Sequence, residues 1–298
     1  MKQKTLKDTL FFEGKGLHTG TFSHIRIKPS DPGTGIRFIR TDLQAEIPAL
    51  AQYVSNTSRC TLISKGDASV STIEHVMSAL TGMGIDNALI EVDGREIPIL
   101  DGSARFYAEA IAAAGIQEQD QERIYRDIKD VIQISDRQSG AWVRLEPAEN
   151  LSFDITVDFG SRVLGIQTAH WDETVDYASQ IAPCRTFVFF HELQYLASAG
   201  LVKGGDADNA IVVVEHPVED AVVKQIAAKV GHPELTVLPS GYLSNITLNF
   251  PDECGRHKLL DLIGDMRLAG AYLRARITAY KPGHTINTNT AKAVQNLY

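Results

Sequence analysis

The stretch His257-Lys258-Leu259-Leu260-Asp261-Leu262-Ile263-Gly264-Asp265 constrains the fold of this chain more than any other. His257, Asp261 and Asp265 recur at every fourth residue, so on a helix their polar heads line one face while Leu259, Leu260, Leu262 and Ile263 cover the others. A helix apolar on its remaining faces is buried, and its polar row must then meet water, a metal or a partner. Spacing alone leaves two readings open, a solvated face or a set of ligands. Gly264 beside Asp265 allows another backbone to come close.

A length of 298 residues fits two domains of roughly 100–200 residues each. With 44% hydrophobic and 22% charged residues there is enough apolar material for real cores. The formal net charge of −8 and the lack of a Lys/Arg-rich run argue against nucleic-acid binding, which needs basic stripes against phosphate. No run of about 18 apolar residues is present to span a membrane. The opening Met1-Lys2-Gln3-Lys4-Thr5-Leu6-Lys7-Asp8 lacks the apolar core of a signal peptide. Cys60, Cys184 and Cys254 lie far apart, form no C-x-x-C pair and point to a reducing cytoplasm.

Leu10-Phe11-Phe12, a glycine-punctuated turn over 13–20, alternation at Phe22, His24, Arg26 and Lys28, and a returning strand at 36–40 predict an antiparallel hairpin or meander. Ser71 and Glu74 have capping-box spacing ahead of the helical run Val76 to Leu80. A strand follows at 87–92, then an Ala-rich helix from Ala104 to Ala114 that stops at Gly115. The wholly polar stretch Gln117 to Arg123 reads as the domain boundary, giving domains of residues 1–120 and 121–298. Further strands are predicted near 131–134, 142–145 and 153–158. A helix from Phe187 to Ala199 and a buried strand at 210–214 suggest a β-α-β excursion around Lys203-Gly204-Gly205. After the 257–265 helix come a strand at 275–280, the turn Lys281-Pro282-Gly283-His284, and a tail with two Asn-Thr pairs leading to a short terminal helix. Antiparallel strands mixed with a few helices in each half make the chain α+β. The halves show no sequence repeat, and there is no P-loop or dinucleotide glycine fingerprint.

A catalytic zinc site usually takes three protein ligands of His/Asp/Glu type and leaves a fourth position to water, whose pKa falls to about 7. His257 and Asp261, at i and i+4, offer two ligands, and His75 is the candidate third. Its neighbour Glu74 is the candidate general base, although the capping-box reading of Glu74 stands equally beside it. Two histidines at i and i+4 with a glutamate between them are absent, which excludes a thermolysin-like protease. His284, in a flexible Pro-Gly-His turn and oriented by Asp265, is a candidate acid for a leaving amine. His170, His191, His216 and His232 have no spacing partner.

Together Gly14-Lys15-Gly16-Leu17-His18-Thr19-Gly20, Ser71-Thr72-Ile73-Glu74-His75, Gly84-Ile85-Asp86-Asn87, Ile99-Leu100-Asp101-Gly102-Ser103-Ala104, Arg185-Thr186-Phe187, Gly204-Gly205, His257 to Asp265 and Gly283-His284 stand in the order found in the UDP-3-O-acyl-N-acetylglucosamine deacetylases, which the chain resembles from about Lys4 to its end. The resemblance implies two similar two-layer α/β sandwich domains with the active site between them, the second carrying a β-α-β insert around residues 187–214. It implies removal of the 2-N-acetyl group of UDP-3-O-(3-hydroxyacyl)-N-acetylglucosamine, the committed step of lipid A synthesis. His75, His257 and Asp261 would hold zinc, or iron(II) in the cell. Glu74 would be the base, His284 paired with Asp265 the acid, Thr186 an oxyanion contact and Lys258 a substrate contact. Phe187, Leu193, Val202 and Val212 would line a passage for the acyl chain beside Gly205. The expected partner is the small-molecule UDP-acyl-sugar, and the expected state a cytoplasmic monomer. Where some members carry a lysine that reaches the nucleotide, this chain reads Leu145-Glu146-Pro147, and Asp206 and Asn209 are more polar than their counterparts in some relatives. The opening segment is also similar to forms fused to a hydroxyacyl-carrier-protein dehydratase, so the chain is either a single-function enzyme or a piece of a longer one. A non-catalytic UDP-sugar or acyl binder and an amidohydrolase acting on another N-acyl sugar are the alternatives.

Overall fold

In the strand Phe22–Pro29, Ser23, Ile25 and Ile27 point inward and are buried, while Phe22, His24 and Arg26 stay exposed. This period of two decides where the sheets lie. The computed structural model describes residues 1–198, 203–206, 208–229 and 232–298. Among these residues the α-helices are α1 (Glu74–Gly82), α2 (Arg105–Ala114), α3 (Tyr177–Gln180), α4 (Phe190–Ser198), α5 (Asp220–Lys229), α6 (Glu253–Met266) and α7 (His284–Gln295). No helix among the described residues is long and apolar enough to cross a membrane.

Two principal sheets carry the fold. The first orders its strands as Leu10–Lys15, Phe22–Pro29, Ala88–Val92, Ile36–Arg40 and Ala45–Pro48. The second orders Ile132–Ser135, Trp142–Pro147, Tyr272–Tyr280, Ser152–Asp158 and Ile166–Asp172, with Tyr125–Asp127 added parallel to Tyr272–Tyr280. The winding is the same in both: two hairpins, a helix, a central strand running antiparallel to one hairpin and parallel to the other, and a closing helix. The chain is thus α+β and built from two like units, although no sequence repeat announces it. α1 occupies in the first unit the place that α6 occupies in the second, and these two helices pack on each other. One hydrophobic cluster runs through both, from Ile25, Ile27 and Phe38 to Phe153, Ile155 and Ile277.

Several expectations need correction. Gln117 to Arg123, which no strand pattern marked, is for the most part the strand Ile116–Glu122, paired antiparallel with Lys2–Leu6. Its side chains are mostly exposed and show no apolar alternation, while the backbone ladder holds it. Arg123 clamps both oxygens of Asp86 at 2.9 Å and lies 3.9 Å over the ring of Tyr272, tying the two units together. Ser71 does not cap α1. Its hydroxyl donates to Arg95 O, and the helix starts at Glu74 behind Ile73 with no side-chain cap. Phe187–Phe189 forms a strand ahead of α4 and pairs parallel with Ile211–Val213, so the β-α-β unit is present with a shorter helix than expected, and Ala199 lies outside the described residues. Leu145-Glu146-Pro147 closes the strand Trp142–Pro147, which runs past the predicted 142–145.

The tail also differs. α7 begins at His284 itself and contains both Asn-Thr pairs. Threonine and asparagine are weak helix formers, but here Thr288 and Thr290 return their hydroxyls to carbonyls four residues back, His284 O and Ile286 O, and Asn287 is wholly buried.

Candidate metal and hydrolytic centre

The polar row of α6 faces α1. Gly264 makes this possible, because a Cβ built there would lie 2.1 Å from Glu74 O, a distance no side chain tolerates. The crossing brings Glu74 and His75, at the start of α1, against His257 and Asp261. All four are at most 5% exposed. The ligand atoms of His75, His257 and Asp261 lie within 4.8 Å of one another, and theirs is the one group of this kind among the described residues.

His257 and Asp261 are held by hydrogen bonds. The His257 Nδ1 donates to Cys184 O at 3.0 Å, which turns the Nε2 lone pair toward Asp261 Oδ1, 3.4 Å away. The His75 Nε2 is 3.7 Å from the same oxygen. Asp261 Oδ2 accepts from Lys258 Nζ at 2.7 Å, but Oδ1 is buried and has no hydrogen-bond partner. A bare carboxylate oxygen facing two imidazole nitrogens is costly to bury as it stands. It fits a cation, and two imidazoles with one carboxylate are a donor set suited to zinc, with iron(II) compatible with the same atoms.

Glu74 stands beside this group with separate tasks for its two oxygens. Oε2 accepts from the Thr61 amide at 3.0 Å, and Oε1 lies 3.9 Å from His284 Nε2. The capping-box reading of Glu74 is therefore overturned, since its carboxylate turns into the site. His284 sits at the first position of α7, with Nδ1 3.0 Å from Asp265 Oδ2 and its side chain only 10% exposed, so it is not carried by a flexible turn. Asp265 in turn accepts from Thr61 Oγ1 at 2.6 Å and from Asn287 Nδ2 at 3.0 Å.

Burial pushes the Glu74 carboxyl up to about 7; His284 pulls it down while Asp261 and Asp265 add to the rise. Burial and the neighbouring His257 ring take His75 down to about 3, against the pull of Asp261, and burial also lowers His257. Both therefore stay neutral, with lone pairs available to a metal. Burial acts downward on His284 too, but Asp265, by charge and hydrogen bond, and then Glu74 and Asp261 hold it up at about 9. Burial opposes ionisation of Asp261, yet His257, Lys258, His284 and His75 outweigh it and keep its carboxyl far below the usual range.

A cavity of about 390 Å³ opens over this cluster. Glu74, His75, His257, Asp261 and His284 line its polar end together with Thr186 and Lys258. An apolar arm runs away along Phe187, Val188, Leu193 and Val212 to Ile226, Ala227, Leu235 and Leu243, with Gly205 on its wall. The structure thus brings the expected residues around one cavity, apart from Asp265, which stands behind His284, and Val202, which lies outside the described residues. The Lys258 ammonium sits 5.5 Å from the Phe187 ring centre. Sequence reading missed Thr61, Asn287 and the Cys184 carbonyl, which share no spacing with the residues they hold. It also missed α5, whose Val222, Val223, Ile226 and Ala227 repeat at helical period and could have been found that way.

Two like-wound α+β units meeting at a buried two-histidine, one-carboxylate cluster, with a second carboxylate alongside and a long apolar arm, define a class of protein with one candidate metal position and room for an amphiphilic ligand. Comparison with known proteins narrows that class to a family. The family model for UDP-3-O-acyl N-acetylglycosamine deacetylase matches residues 3–225 and 226–296, and the chain belongs to this family. It is 43% identical over 296 residues to the bifunctional enzyme LpxC/FabZ of Porphyromonas gingivalis, an alignment covering 99% of this chain and 64% of that protein. It is 38% identical over 302 residues to the UDP-3-O-acyl-N-acetylglucosamine deacetylase of Trichormus variabilis, covering 99% and 98%, and 35% identical over 300 residues to that of Haemophilus influenzae, covering 99% and 90%. The chain spans just under two thirds of the length of the bifunctional relatives it matches.

Proposed function

We propose that this protein hydrolyses the 2-N-acetyl group of UDP-3-O-(3-hydroxyacyl)-N-acetylglucosamine at a single metal, zinc by its donor set, held by His75, His257 and Asp261. The observation that carries the reading is the bare, buried Asp261 Oδ1 facing two neutral imidazoles, with an unligated carboxylate, Glu74, beside them. When bound, the metal polarises the acetyl carbonyl and acidifies water. Glu74 Oε1, the oxygen left free by the Thr61 amide, takes the proton from the attacking water. A carboxyl lifted to about 7 suits this task, because a base works best with a pKa near the working pH.

His284, charged at neutral pH, stabilises the developing negative charge and gives its Nε2 proton to the departing amine nitrogen. Its Nδ1–H stays hydrogen-bonded to Asp265 Oδ2, which fixes the ring. Thr186, on the cavity wall, is the second contact for the oxyanion, and Lys258 adds positive charge beside Phe187. The apolar arm takes the acyl chain. A metal amidohydrolase working on a different N-acyl sugar would share the polar end but has no use for that arm.

A substrate panel tests the assignment. Acetate release from the UDP-3-O-acyl sugar should exceed that from UDP-N-acetylglucosamine lacking the acyl chain, and from the acyl sugar lacking UDP, by about 100-fold or more in kcat/KM. Equal turnover of all three would count against both the substrate and the use of the arm.

A further inference from the structure

Glu96 is 2% exposed and takes no part in the chemistry above, yet its carboxylate accepts four hydrogen bonds. Oε1 accepts from the His18 amide at 2.9 Å and from Thr72 Oγ1 at 2.9 Å. Oε2 accepts from the Thr19 amide at 2.8 Å and from Thr19 Oγ1 at 2.7 Å. The side chain thus gathers two remote segments onto one buried group. One is the loop bearing Leu17 and His18, both on the cavity wall. The other is Thr72, a cavity-lining, β-branched residue at φ 60°, two positions before Glu74.

The loop is also locked to the β-α-β insert. Gly204 donates its amide to Leu17 O at 3.2 Å, and a Cβ at Gly204 would lie 1.9 Å from Gly16 O. A Cβ at Gly20 would lie 2.6 Å from Lys203 O, and one at Gly16 would lie 2.4 Å from Glu96 Oε2. Gly16 thus admits the Glu96 carboxylate, and Gly20 and Gly204 permit backbone contacts that pass its position on to Gly205 and Asp206 at the cavity wall.

We propose that Glu96 is a positioning residue for substrate: it fixes the Leu17–Thr19 loop, and through it the Gly204–Gly205 turn, as the rigid wall against which the substrate seats between the polar end and the apolar arm. This rests on the function proposed above. Its signature is a KM effect, because the wall touches bound substrate and not the reacting carbonyl.

Glu96→Gln keeps the shape but replaces one oxygen with an NH₂ group, so whichever way the amide turns, one backbone N–H loses its acceptor. On the UDP-3-O-acyl sugar, the full chain carrying Glu96→Gln should show KM raised about tenfold and kcat changed less than about threefold, with unchanged metal content. Amide exchange at His18 and Thr19 should be about 100-fold faster. Thr19→Val, which removes the hydroxyl's bond to Glu96 together with the one it accepts from the Thr21 amide, should raise KM about threefold and decides the matter if Glu96→Gln does not fold. KM unchanged in the folded variants, or KM and kcat lost together, overturns the proposal. Were the wild-type chain to release no acetate, the functional reading would fail by itself, and the exchange measurement would still decide the wall: faster exchange supports it, unchanged exchange overturns it.

Discussion

Glu74→Gln lowers acetate release by about 10² to 10⁴-fold and leaves the metal in place. The substitution keeps an acceptor for the Thr61 amide and nearly the same volume, and Glu74 is not among the three grouped ligands, so neither folding nor metal content should suffer. What disappears is the capacity of Oε1, 3.9 Å from His284 Nε2, to take a proton. An oxygen shared between a capping amide and a helix end would have produced a stability loss instead. Acetate release and metal content measured on the same preparation separate the two. Retention of more than about one tenth of the wild-type turnover would mean another group is the base.

Gly264→Ala destabilises the fold by about 3 kcal/mol and lowers turnover by about 100-fold. The added Cβ would meet Glu74 O at 2.1 Å and Ser78 N at 3.0 Å, both backbone atoms of α1, which cannot rotate away. The helices must separate, and the separation falls on the contact that brings Glu74 and His75 to His257 and Asp261. Denaturant unfolding and steady-state kinetics check the two parts. An unchanged midpoint with normal turnover would show that the crossing is looser than the packing indicates.

The polar row was legible in the sequence because its period of four and the leucines around it leave a buried helix with one wet face. The partner of that face was not. Ser71 and Glu74 have the right spacing for a capping box, but Ser71 is drawn to Arg95 O and Thr72 turns through a positive φ, so the helix starts at Glu74 behind Ile73 and the Glu74 side chain turns inward. Spacing describes what a segment could do alone, and tertiary hydrogen bonds overrule it. The terminal helix was legible, but its start at His284 and its run through the two Asn-Thr pairs were not, for the opposite reason. Its threonines and asparagines disfavour a helix in isolation, and the burial of Ile286, Ala291 and Val294 together with the Asn287–Asp265 bond holds one. Thr61, the link between Glu74 and Asp265, lies 13 and 204 positions from them, and no local pattern spans such gaps. The doubled winding is equally silent, because many unrelated apolar alternations satisfy the same ladder of strands. The three cysteines are buried and unpaired, with Cys60 and Cys254 thiols pushed up by burial to about 12, which makes them core residues rather than nucleophiles.

The most direct test of a metal hydrolase centre at His75, His257 and Asp261 is a reconstitution titration. Protein stripped by a chelator is titrated with zinc while acetate release from the UDP-3-O-acyl sugar is followed. The account predicts that release is lost on stripping and returns linearly to a break at about one metal per chain, and that Asp261→Ala gives no return at stoichiometric metal. Full acetate release from the metal-free chain, or return of activity in Asp261→Ala with the same break, would contradict it.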